Sequence, residues 1–101
     1  VSAHEMDAVV ERAAAQLNLF DDALAALHAI RAEAVSDDGR VRVEVDGHGS
    51  PTALWLSESL HDLDPRVLAR SVVATAHRAA EEAAAERTRI TSALFDTPDR
   101  H

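Results

Sequence analysis

His4, His28, His48, His61, His77 and His101 are the side chains best suited to ligating a metal or moving a proton near neutral pH. A zinc site would need two of them on one helix face, as in H-x-x-x-H, or a histidine joined to cysteines. No such spacing occurs, and the chain contains no cysteine. GHGS, from Gly47 to Ser50, lacks the G-x-S-x-G spacing of a nucleophile elbow. DGHG is followed by neither lysine nor a helix start, as a phosphate loop would be. Glu81, Glu82 and Glu86 read as a solvated helix face. No nucleophile, base and orienter assemble, so no enzyme activity, metal site or cofactor is expected.

The arginines are the remaining chemistry, and all ten basic residues are arginine. Arg66 and Arg70 stand one helical turn apart, extended two turns on by His77 with Arg78 beside it. Arg87 and Arg89 form a second group, and Arg12 joins if its helix packs alongside. Such groups neutralise phosphates, and binding of that kind weakens steeply with salt. Two features oppose it. The formal charge is −8, so a dimer would carry twice that. The same arginines also read as solvated helix faces, with pairs such as Arg78–Glu82 and Glu86–Arg89. No aromatic residues interleave with them, which argues against stacking on single strands.

The elements that would carry these residues follow from local patterning. Ser2 and Glu5 fit a capping box. Met6, Val10, Ala13, Leu17, Phe20, Leu24 and Leu27 then repeat as a heptad seam, which predicts a helix over about 3–34 that pairs with another helix. Asp37, Asp38 and Gly39 break it. Arg40 to Ser57 alternates as a β-hairpin: Val41, Val43 and Val45 face one way, with Val43 opposite Leu54 and Val41 opposite Leu56. Trp55 falls on the other face across from Arg42, where it either stacks on the guanidinium or presents a partner surface. Asp64 caps and Pro65 opens a second helix over about 65–95. Ala69, Val73, Ala76, Ala80, Ala83, Arg87, Ile90 and Leu94 make its seam, and residues 97–101 are expected to fray.

A single α+β domain over residues 1–96 follows, with two long helices flanking a small antiparallel sheet. Its core is thin: 21 of the apolar residues are alanine, and a chain of 101 residues buries little surface alone. An isolated hairpin is marginal in water, and a helix of about 30 residues spans roughly 45 Å, longer than a compact domain of this size. A self-pair is therefore expected. Val41, Val43, Val45, Leu54, Trp55, Leu56, Val73, Ala76 and Ala80 are its candidate interface. No apolar run reaches membrane-spanning length and no signal-peptide core is present, so a cytoplasmic location is expected.

The order and spacing of Val41, Val43, Val45, Gly47, Gly49, Leu54 and Leu56 carry a further implication. With Leu60, Asp64, Pro65, Leu68, Val72, Val73, Ala76 and Ala79, they resemble the YbaB/EbfC nucleoid-associated proteins. The likeness covers about Arg40 to Ala83. It implies an α-β-β-β-α subunit in an intertwined, tweezer-like homodimer whose helical arms bind duplex DNA with little sequence preference. A third strand would come from the SESLHDL segment after the hairpin. Arg66, Arg70, Arg78, Arg87, Arg89 and Arg12 are then the candidate DNA-binding residues. The chain departs from the family in lacking lysine, in reducing the glycine-rich linker before the hairpin to Gly39, and in placing His77 near a common asparagine. The competing class is a protein-interaction module, secretion-associated or regulatory, that uses the same fold to hold a helical partner. A continuous arginine surface favours DNA, and an exposed apolar groove favours protein.

Overall fold

Ser2 caps α1, which runs Ala3–His28: its side-chain oxygen accepts from the Glu5 N–H at 3.2 Å. The computed structural model describes residues 2–95, so the expected tail at 97–101 lies outside them. β1 (Arg31–Val35), β2 (Val41–Asp46) and β3 (Pro51–Leu56) follow, and then α2 (Pro65–Phe95). The strands form one antiparallel sheet in the order β1-β2-β3.

Two boundaries differ from the sequence reading. α1 stops at His28 instead of near Ala34, and the third strand is β1, taken from residues assigned to that helix. SESLHDL is not part of the sheet. Alanine favours helix in isolation, but RAEAV also alternates: Ala32 and Ala34 face inward, while Arg31, Glu33 and Val35 face out. Pairing with β2, in register Ala32↔Val45 and Ala34↔Val43, overrides the weak propensity. Ile30, 5% exposed, anchors the switch between helix and strand.

The hairpin forms in the expected register, with Val41↔Leu56, Arg42↔Trp55 and Val43↔Leu54. Asp46 organises its turn by accepting from the N–H groups of His48 at 2.9 Å and Ser50 at 3.0 Å. These donors stabilise the ionised form and hold the Asp46 carboxyl below its ordinary pKa. Gly49 takes a φ of +80°, which a side chain would resist. A bulge lies between Glu44 and Val45, just before the turn.

α2 is capped as expected, with Asp64 Oδ1 accepting from the Arg66 N–H at 2.9 Å. It lies across β1 and β2. Thr75, Ala79 and Ala83, four residues apart, form its buried stripe over Val41, Val43 and Val45. Small side chains let the helix backbone approach the valine row closely. Thr75 satisfies its buried hydroxyl by donating to the Ser71 carbonyl at 2.7 Å. β3 escapes this cover: Leu54 and Leu56 share the valine face yet remain exposed.

α1 has no buried residue along its 26 positions. Its C-terminal half meets the end of α2, where Leu19, Asp22 and Ala23 lie beside Ile90, Ala93 and Leu94. Met6, Val9, Val10 and Leu17 stand in solvent. The chain is accordingly elongated, 77 × 26 × 15 Å with a radius of gyration of 21.2 Å, against about 13 Å for a compact domain of this length.

Gly47 marks the junction of these parts. A Cβ there would lie 2.8 Å from the Leu27 carbonyl oxygen and 3.4 Å from the Ile30 side chain. Gly47→Ala is expected to destabilise the fold by about 1–3 kcal/mol, because the obstacle is helix backbone that cannot rotate away. Urea denaturation checks this, and an unchanged midpoint would contradict it.

Candidate nucleic-acid interface

The charge of α2 is divided along its length. Residues 65–80 carry Arg66, Arg70 and Arg78 with no carboxylate, whereas residues 81–95 set Glu81, Glu82 and Glu86 against Arg87 and Arg89. α1 is acidic, with Glu5, Asp7, Glu11, Asp21 and Asp22 against the single Arg12. The first half of α2 is thus where anion attraction concentrates, although the whole chain is negative.

Each arginine has a distinct local role. Arg66 and Arg70 are exposed, and among the described residues neither forms an ion pair. The Arg70 Nε makes a 3.4 Å contact to the Arg66 carbonyl, which lays its side chain back along the helix. Arg70 shares a shallow, apolar-floored face with Ala69, Val73, Ala74 and His77. A row of 66, 70 and 77 on one helix face is what the sequence spacing predicts, and its two arginines point no guanidinium at a carboxylate among the described residues.

Arg78 is held elsewhere. It donates to the Val35 carbonyl and to Asp37 Oδ1, the latter at 3.3 Å, and so ties α2 to the end of β1. The expected Arg78–Glu82 pair is replaced by these contacts. Arg87 donates to the Gly47 carbonyl and clasps α2 to the hairpin turn. Arg89 pairs with Glu86, as the i,i+3 spacing predicts. Arg12 is exposed on α1, and the α1 residues beside Ile90, Ala93 and Leu94 are Leu19, Asp22 and Ala23. Twenty residues of helix separate Ile90 from Arg70, roughly 30 Å, so Arg12 cannot extend the Arg66–Arg70 row within one subunit.

Sequence reasoning missed the two long-range clasps. The D-D-G turn and the glycine at 47 are local signals of tight backbone, but nothing in spacing says which arginine will reach them. Arg87→Ala is expected to cost about 1.5–3 kcal/mol of stability, the range for a hydrogen bond to a charged donor. It should leave the salt dependence of any DNA binding unchanged. Thermal melts and a salt titration on the same variant separate the two effects.

The candidate interface residues divide as well. Val41, Val43 and Val45 are at most 2% exposed and lie under α2, so they have no area left for a second chain. Ala76 and Ala80 are half-buried at the edge of the same core. Leu54, Trp55, Leu56 and Val73 remain open. Arg42 does stack over Trp55, with its guanidinium carbon 4.2 Å from the ring centroid, yet the indole keeps 41% exposure. Among the described residues no cluster of His, Cys, Asp or Glu could hold a metal, and no helix is long and apolar enough to cross a membrane.

Comparison with known proteins adds two findings. The model of the YbaB/EbfC DNA-binding family matches residues 3–97. The fold is similar to the crystal structure of the uncharacterized protein HP0035 from Helicobacter pylori, with a TM-score of 0.67 at 12% identity, covering 95% of this chain and 99% of that one. At that identity the likeness is one of fold. No curated protein matches the sequence.

Proposed function

Because this chain belongs to the YbaB/EbfC DNA-binding family, we propose that it is a nucleoid-associated protein that binds duplex DNA as a homodimer with little sequence preference. The observation that carries this reading is the acid-free half of α2, where Arg66 and Arg70 stand unpaired one turn apart among the described residues. Contacts from such a row go to phosphates, which position a protein without reading bases. Nothing in the row resembles a helix end aimed at base edges, so affinity should depend on salt and hardly on sequence.

Dimerisation supplies what one subunit lacks. Leu54 and Leu56 continue the buried valine row onto β3 but have no helix above them. A second copy covering β3 would bury them and double the arginine row by symmetry. It would also bring more phosphate contacts to a protein whose net charge of −8 per chain opposes binding. The reading places the protein in the cytoplasm, on the nucleoid.

Two measurements test the proposal. Light scattering at micromolar concentration should give twice the 10.9 kDa chain mass. Two duplexes of equal length and unrelated sequence should bind with equal affinity. A monomeric mass with intact helical circular dichroism, or a strong preference for one duplex, would overturn the corresponding half.

A further inference from the structure

A second group of arginines lies on the opposite layer of the fold. Arg40 and Arg42 alternate with the buried Val41 and therefore project from the sheet face that α2 does not cover. Together with Val35, Gly39, Trp55, Leu56 and Ser57 they line an open cleft of about 320 Å³. No carboxylate lines it. Arg40 forms no ion pair among the described residues, and Arg42 meets Glu33 only at 3.8 Å.

Asp38, two residues before Arg40, is already committed. Its Oδ1 accepts from the Ser36 hydroxyl at 2.7 Å and from the Arg40 N–H at 3.0 Å. The strand ends are pinned by the Ser57 N–H donating to the Arg40 carbonyl at 2.8 Å. Two guanidinium groups two residues apart, just before β2 and on it, are thus presented from a rigid frame, one of them held flat by Trp55. Planar, paired guanidinium groups suit phosphate oxyanions.

We propose that the Arg40–Arg42–Trp55 cleft is a second phosphate-binding site, which engages the backbone of another duplex segment while α2 holds the first. The DNA half of this inference rests on the function proposed above; the anion half stands on the cleft alone. The consequence is a protein that bridges duplexes across its sheet as well as coating one.

Trp55 is the only tryptophan, so its fluorescence reports on the cleft without a label. Inorganic tripolyphosphate and a 20-base-pair duplex are titrated in turn into the wild-type protein, Arg40→Gln, and Arg40→Gln with Arg42→Gln. The single variant leaves the indole stack intact and guards against a folding artefact. Bridging is read by capturing a fluorescent duplex on a bead-bound unlabelled one through the protein. The expected result is a saturable Trp55 response to both ligands, weakened about tenfold or more in the variants. Capture of the second duplex should fall in parallel, while binding of a single duplex through α2 persists.

An unresponsive Trp55 at saturating duplex, or undiminished bridging by the double variant, overturns the proposal. So does a Trp55 spectrum that follows protein concentration and no anion, because the indole would then lie in the subunit contact. If no duplex binds the wild type at all, the DNA reading fails. Tripolyphosphate then decides the cleft: a response lost in Arg40→Gln sustains an anion site, and no response removes it.

Discussion

Replacing Arg66 and Arg70 together by alanine should nearly abolish the salt dependence of duplex binding. Four phosphate contacts in a dimer give a slope of roughly −3.6 in log K against log salt, so affinity falls about a hundredfold between 50 and 200 mM. The variant should lose most of that slope and bind weakly at every salt concentration. The loss should be alike for unrelated sequences, since phosphate contacts carry no base information. Both side chains are exposed and unpaired among the described residues, so helical content and melting temperature should hold. Arg66→Lys with Arg70→Lys should restore much of the slope, because a point charge suffices to neutralise a phosphate. Fluorescence anisotropy across a salt series checks all three proteins. An alanine variant with the wild-type slope would remove α2 from the DNA contact.

The second large effect concerns assembly. Leu54→Asp with Leu56→Asp should convert the dimer to a monomer while the subunit stays folded. Both leucines are already about half-exposed in the single chain, at 51% and 44%. Burying the remainder from two copies is worth about 4 kcal/mol, roughly a thousandfold in dissociation constant. Val43→Asp is the contrast: Val43 is 2% exposed beneath α2, and an unpaired carboxylate there should unfold the subunit. Sedimentation velocity with circular dichroism separates these outcomes. A leucine double variant that remains dimeric would place the subunit contact elsewhere, with the exposed α1 seam as the next surface to examine.

Much of this architecture was legible because local signals and tertiary packing agree. Asp64-Pro65 opens α2 where a cap and a first-turn proline should, and the Val41–Val43–Val45 alternation fixes the hairpin register down to Arg42 against Trp55. β1 was hidden because alanine carries two messages. In RAEAV its helix propensity speaks in any window, while its fitness to sit under α2 depends on a valine row and a helix far along the chain. The α2 seam was half visible for the same reason. A heptad count selects Ala76, Ala80 and Ala83; Ala83 is indeed buried, but the rest of the face pressed on the sheet is Thr75 and Ala79, one position before Ala76 and Ala80.

The arginine site was legible only as spacing. Arg66, Arg70 and His77 fall on one face by helical geometry alone, and the Glu86–Arg89 pair follows from i,i+3. Arg78 and Arg87 were indistinguishable from them in sequence. What separates them is a pair of backbone carbonyls, Val35 and Gly47, brought within reach by the sheet. Long-range acceptors of that kind leave no periodic trace.

The central claim is that phosphate attraction through the basic half of α2 overcomes an overall charge of −8 per chain. Its most direct test is the affinity of the wild-type protein for an arbitrary duplex across about 50 to 200 mM salt. A straight log–log line with a slope of roughly −3 to −4 is the predicted result. No binding at the lowest salt, or binding with a slope near zero, would contradict it.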